Sequence, residues 1–194
     1  MYDLGIGELP PNNAMDRSIL ALVSSSNSWY APLAGSFKLN VDGAAKGNPG
    51  PNGYGGAIRN SKGDIISLFS GSIGSNTNNM AELEGLMNGL KWALQIGKTP
   101  LVAEGDSQII INLAHRLQSG TSTAQVSNNW RWEGHLSTLM QTLTGQEAIL
   151  FSHVKQEGKK VADAMVNKGV ESGISFHAEE IDDKGNTQTI WKHC

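Results

Sequence analysis

The chain has 194 residues, with 15 Lys and Arg against 18 Asp and Glu, so its formal net charge of −3 gives no composition-level sign of a polyanionic partner. Its one cysteine, Cys194, excludes an intramolecular disulfide and a cysteine-based metal site, and 23 glycines with 17% charged residues suit a loop-rich globular domain better than a disordered chain. The longest apolar stretch near the N-terminus, residues 19–23, is far short of a membrane span, and Asp3 and Glu8 stand where a secretory signal carries positive charge. A soluble intracellular monomer without a membrane partner is expected, nuclear or cytoplasmic, with an organelle left open.

Residues 1–35 carry PP, NN and SSSNS clusters and read as a linker-like extension, residues 36–172 as one domain, and residues 173–194 as an acidic tail without sustained periodicity. In FKLNVDGAA, Phe37, Leu39 and Val41 alternate with Lys38, Asn40 and Asp42, the period of a half-buried strand. GNPGPNGYGG is a turn-rich connection into a second strand over 54–60, and SKGD turns the chain into a third, IISLFSGSI. From Thr77, a suitable N-cap, the spacing of Leu83, Leu86, Leu90 and Leu94 becomes helical. A fourth strand over 101–105 ends at Asp106 and runs into the helical SQIIINLAHRL. WRWEGHLSTLMQTL reads as a further helix, AILFSHV as a fifth strand, and residues 159–170 as a last helix. Three meander strands followed by alternating helix and strand predict an α/β fold: a five-stranded mixed sheet, three strands antiparallel and then two parallel, flanked by helices.

Four acids fall at element ends: Asp42, Glu82, Asp106 and Asp163. Each alone has an ordinary structural reading as a turn residue, a helix N-terminal acid or a solvated helix charge. The four together, with their flanking sequence, are more specific. VDGAAKGNPGPNGYGGA, TNNMAELEGL, GDSQIIINL and HVKQEGKKVADAM follow one another in an order and spacing that resembles a ribonuclease H domain. In more detail the sequence resembles the plant type related to reverse transcriptases of non-LTR retrotransposons, a likeness that extends over about residues 29–172.

That resemblance implies an endoribonuclease that hydrolyses the RNA strand of RNA–DNA hybrids by two-metal-ion catalysis, leaving 3′-hydroxyl and 5′-phosphate ends. Asp42, Glu82, Asp106 and Asp163 would be both its catalytic residues and its metal ligands. Asp42 would bridge two Mg²⁺ ions, with Mn²⁺ as a substitute; Asp163 would serve the water-activating ion, and Glu82 and Asp106 the other. The nucleic acid, an RNA–DNA hybrid, would be contacted by Asn48, Thr77, Asn78, Asn79 and Gln108. His153 is a candidate for assisting product release, ahead of His115 and His135.

Trp130 and Trp132 have two readings, as helix-packing residues or as the lining of a substrate channel. The stretch from Gln118 to Asn129 holds no Lys or Arg, so a basic nucleic-acid handle is not expected there. Lys159 stands where the family's last motif usually has Asn, Met165 and Val166 replace its Leu-Ala, and Gly105 replaces a polar residue. These departures sustain an alternative, a catalytically weak or inactive domesticated retroelement domain that binds nucleic acid or a protein partner. Charge supports a nucleic-acid partner once it is located: residues 37–172 carry 12 basic and 11 acidic side chains, and each flank is −2. On this reading, removing both flanks leaves cleavage intact.

Overall fold

The computed structural model describes residues 31–47, 49–154, 160–182 and 184–193. Strands β1 (Phe37–Ala45), β2 (Gly50–Arg59) and β3 (Ile65–Asn76) form the antiparallel meander. β4 (Leu101–Gly105) and β5 (Ile149–His153) extend it in parallel from β1. These are the five expected strands in the expected directions. Two more, β6 (Phe176–Ile181) and β7 (Thr187–His193), complete a seven-stranded sheet of order β5-β4-β1-β2-β3-β6-β7.

Helices cover both faces, as the alternation of apolar residues on the central strands requires. Helix α1 (Asn78–Gln95) lies over β1 and β2, where Leu83, Leu86 and Leu90 pack on Leu39, Val41, Ile58 and Phe69. Helices α2 (Gln108–Gln118), α3 (Thr123–Val126) and α4 (Glu133–Leu143) extend this larger core toward β4 and β5. A 3-10 turn, Trp130–Trp132, leads into α4. Helix α5 (Lys160–Ser172) covers the opposite face, where Val161 and Met165 join Ala57, Ile65 and Leu68 in a smaller cluster.

β2 starts earlier than its turn-rich sequence suggests, because residues 50–53 are paired with β3 and residues 52 and 53 also with β1. Glycines make this layering possible. A Cβ on Gly55 would strike the backbone of Met165 in α5, and one on Gly43 would strike the backbone of Ala81 and Glu82 in α1. Backbone cannot rotate aside as a side chain can, so Gly43→Ala must lift α1 from β1. We expect it to cost about 1–3 kcal/mol of stability in urea denaturation.

The largest departure from the sequence reading is the acidic tail. Residues 176–181 are the strand β6, hydrogen-bonded to the edge of β3, and β7 folds back on them. Both faces of β6 are used. Phe176 stacks with Phe69 at 6.3 Å and meets Trp92 edge-on at 6.1 Å, while Ile181 enters the cluster under α5. The Ser67 hydroxyl donates to the Glu179 carbonyl at 2.7 Å and accepts from Trp92 Nε1 at 2.8 Å. The Tyr54 hydroxyl donates to the Ser175 carbonyl at 2.7 Å; burial, reinforced by Glu84, raises its pKa far above the usual phenol value and keeps it a donor.

Glu179 in β6 is paired. It is 7% exposed, with His177 Nε2 at 2.7 Å and Lys168 Nζ of α5 at 3.2 Å from its Oε1. Burial alone would raise its pKa, but the hydrogen bonds and charges of His177 and Lys168 outweigh burial and hold it below the usual value. A lowered folded pKa stabilises the fold above the ordinary glutamate range and loses that contribution as pH falls through the lowered value. Thermal melts between pH 7 and pH 3 should therefore lose less stability on acidification in Glu179→Gln than in the wild type.

Candidate active site

The edge where β1 and β4 end and α1 begins collects the acids. The Asp42 side chain leaves β1 on the face opposite α1, since its neighbour Gly43 faces that helix. Asp106 follows the last residue of β4, which runs parallel beside β1. Glu82 sits in the first turns of α1, held over the strand end by the close approach at Gly43. One carboxylate oxygen from each of Asp42, Glu82 and Asp106 lies within 4.8 Å of the others; Asp42 and Glu82 are buried and Asp106 is half-buried. Like charges this close favour a bound cation, and an all-oxygen donor set suits a hard divalent ion such as Mg²⁺.

Asp163, the fourth acid named from the sequence, stands exposed in the first turn of α5 and is not a member of this group. The sequence placed it on a helix, but how that helix sits on the sheet depends on packing at Gly53 and Gly55, which periodicity does not encode. Met165 and Val166, the departures from the family pattern, are buried against the sheet and pack as core.

The start of α1 borders the same edge. The Thr77 hydroxyl caps the helix by accepting from Met80 N at 3.3 Å, and Asn78 Oδ1 accepts from Ala45 N at 2.8 Å, tying the helix start to the end of β1. Asn79 is exposed in the first turn. Gln108 is exposed at the start of α2, where its Nε2 donates to Asn112 Oδ1 at 2.8 Å. Asn48 lies outside the described residues, as does Lys159.

Asn52 is a residue that sequence reasoning passed over as part of a turn. It is fully buried, and its Nδ2 donates to the Thr77 carbonyl at 2.7 Å, locking the α1 cap onto β2. Its only sequence signal is a polar amide between Pro51 and Gly53 in a turn-rich run. The Thr77 carbonyl also accepts from Ala81 N at 3.1 Å, so Asn52→Leu removes the tie between β2 and the cap without orphaning the carbonyl, and we expect a loss of about 0.5–1.5 kcal/mol in urea denaturation.

His153 ends β5 beside Gly105, and its Nε2 lies 2.9 Å from the Asp106 carbonyl. A carbonyl only accepts, so Nε2 carries the proton, and the ring is held at the rim of the acid group. The other histidines are engaged elsewhere. His135 Nε2 is 2.8 Å from Glu84 Oε1, and the His115 ring packs edge-on against Phe151 at 5.5 Å. The two tryptophans divide. Trp132 packs on the core, whereas Trp130 is 77% exposed beneath the Arg131 guanidinium, 5.4 Å from its ring centroid, so the packing reading fails for Trp130.

A family model described as reverse transcriptase-like matches residues 40–169. A putative ribonuclease H protein of Arabidopsis thaliana is 29% identical over 157 residues, covering 79% of this chain and 23% of the plant protein. The ribonuclease H of Pseudomonas syringae pv. syringae is 30% identical over 145 residues, covering 72% of this chain and 95% of that protein. Among solved structures, LC11-RNase H1 in complex with an RNA/DNA hybrid superposes with a TM-score of 0.59 at 25% identity, over 71% of this chain and 98% of that one. The chain thus spans about a quarter of the plant relative and nearly all of the bacterial one. The matched region runs from the first strand to the last helix around the acid group, and the chain belongs to the ribonuclease H family through its reverse transcriptase-like domain.

Proposed function

We propose that the chain is a hybrid endoribonuclease that hydrolyses the RNA strand of RNA–DNA duplexes at the edge formed by Asp42, Glu82 and Asp106. The observation that carries this reading is the convergence of three carboxylates from β1, α1 and the end of β4, within 4.8 Å, in a ribonuclease H-family fold. The relative solved with a bound RNA/DNA hybrid supports the substrate class.

The residues present fit divalent ions: Asp42, Glu82 and Asp106 would hold them, with Asp163 supplying a further carboxylate from α5. Bound there, such ions would activate water and offset charge on the scissile phosphate and departing 3′ oxygen, leaving 5′-phosphate and 3′-hydroxyl ends. The chain's own residues supply the rest. Asp42 and Glu82 are fixed by strand and helix packing, so the ligand set is preorganised before substrate arrives.

The N-terminus of α1 presents backbone N–H groups to a phosphate. Because Asn78 Oδ1 is taken by Ala45, its Nδ2 is the end that can donate to a ligand. Asn79 and Gln108 add uncharged polar side chains of the kind that read 2′-hydroxyls across a shallow minor groove without sequence preference. Asn48 and the His153 ring complete the proposed contacts, the latter beside the Asp106 carbonyl.

One observation favours a second reading, a domain that binds hybrids with little turnover: Asp163 is not among the three acids whose ligand atoms all lie within 4.8 Å of one another. A 5′-labelled RNA annealed to DNA, offered beside double-stranded RNA and double-stranded DNA of the same sequence, tests the proposal. Shortened RNA from the hybrid alone, in Mg²⁺ and not in EDTA, is expected. An intact RNA strand with a retained gel shift would favour the second reading.

A further inference from the structure

The sheet face that carries Asp42 and Asp106 continues away from the cluster as a buried charged layer. Two residues back along each strand stand Asn40 and Glu104, partners in the parallel β1–β4 register, and Lys38 follows Asn40 on the same face. Lys38 Nζ lies 2.7 Å from Glu104 Oε1, and Asn40 Nδ2 donates to Glu104 Oε2 at 2.8 Å. All three are enclosed: Lys38 is 8%, Asn40 5% and Glu104 7% exposed.

A buried ion pair contributes little more to stability than apolar residues of the same shape, so stability alone does not account for this layer beside an active-site edge. Two features connect it to the cluster. Glu104 is a carboxylate about 7 Å along the strand from Asp106, yet it is not part of the group whose ligand atoms converge within 4.8 Å. The Asn40 Oδ1 atom is buried without a hydrogen-bond partner among the described residues, on the face that carries Asp42. A buried acceptor of this kind suits a water of a cation's hydration shell.

We propose that Lys38, Glu104 and Asn40 form a positioning layer that sets the cation affinity of the Asp42–Glu82–Asp106 cluster. Lys38 cancels the charge of Glu104, and Lys38 and Asn40 together occupy both its oxygens, so this carboxylate neither joins the ligand set nor adds to its repulsion. The inference rests on reading the cluster as a divalent-cation site and goes beyond it by assigning residues that touch neither the ion nor the substrate.

The charge balance makes the two halves of the pair act in opposite directions. Arg59, 4% exposed and opposite Lys38 in the β1–β2 register, is a second cation attracted to Glu104, so Glu104→Gln leaves two cations without their anion and weakens binding of a dication, while Lys38→Met removes one of the two cations and strengthens it. At separations of about 9 Å and an effective dielectric of about 50, set by the solvent-facing side of the site, the change in affinity is about tenfold each way. The double variant Lys38→Met/Glu104→Gln removes both charges and brings the affinity back to within about threefold of wild type.

The experiment is a Mn²⁺ titration at pH 8 of the full chain, following free Mn²⁺ by electron paramagnetic resonance, with a melting curve for each variant in EDTA. A purely structural role lowers affinity in every variant in step with lost melting temperature. The expected result is opposite shifts for the single variants and recovery in the double. Should Lys38→Met fail to fold, Glu104→Gln and the double variant still carry the test, as tenfold weakening and its reversal. Saturable binding that is unchanged in a folded Glu104→Gln overturns the inference and leaves the cation site standing. Failure of the wild type to bind Mn²⁺ saturably overturns the cation reading, and the inference with it.

Discussion

Asp42→Asn should lower the rate of RNA-strand cleavage by at least about 1,000-fold while leaving the protein as well folded as the wild type. The carboxylate is 8% exposed and shares its space with those of Glu82 and Asp106, so it is the most enclosed point of the cluster. Asparagine keeps the shape and one oxygen but removes the charge that holds a divalent ion, and loss of such a ligand removes stabilisation from both the attacking and the departing oxygens. The same change relieves crowding among like charges when no cation is bound. In EDTA the variant should melt at or above the wild-type temperature, and added Mg²⁺ should raise the melting temperature of the wild type more than that of the variant. Cleavage time courses and two melting curves per protein check both halves. A variant that loses activity because it unfolds would break the pairing of results and count against the account.

Deleting residues 173–194 should lower the melting temperature by about 10–20 °C or prevent folding altogether. The segment reads as a tail by composition, and on that reading its removal is harmless. Its structure says otherwise. β6 closes the open edge of β3, Phe176 covers Phe69 and Trp92, Ala178 is fully buried, and Ile181 completes the cluster beneath α5. Losing the burial of these side chains amounts to about 3–6 kcal/mol, a large part of the 5–15 kcal/mol that stabilises a typical domain. An uncovered β3 would also present unpaired backbone groups along its length, so the truncated protein should aggregate more readily. Differential scanning calorimetry and light scattering on the full chain and on residues 1–172 provide the comparison.

These two expectations mark what could and could not be read from the sequence. Strict alternation in FKLNVDGAA and the leucine spacing after Thr77 were enough to place β1 and α1, because each element buries one face and the period survives in the side chains. Asp42, Glu82 and Asp106 were singled out, like Asp163, by the resemblance of their flanking motifs, and these three converge because strand ends and a capped helix start fix where their side chains leave the backbone. β6 was not legible, since Glu179 reads as solvated until Lys168 is brought beside it by the packing of α5. Asp163 was identified by motif, but its distance from the others depends on helix docking, and Asn52 and Glu104 looked like turn and strand polars until their buried partners appeared. Charge location was legible at a coarser level. The body is slightly basic against two acidic flanks, and the structure then assigns much of the second flank to pairing within the sheet.

The central claim, that this cluster cleaves the RNA strand of a hybrid, is tested most directly by one reaction in which both strands carry distinguishable labels. The wild-type chain in Mg²⁺ should shorten the RNA strand to fragments with 5′-phosphate ends and leave the DNA strand whole, and Asp42→Asn should bind the same hybrid without cutting it. RNA left intact by a folded, hybrid-binding wild type, or cutting that persists in Asp42→Asn, would contradict it.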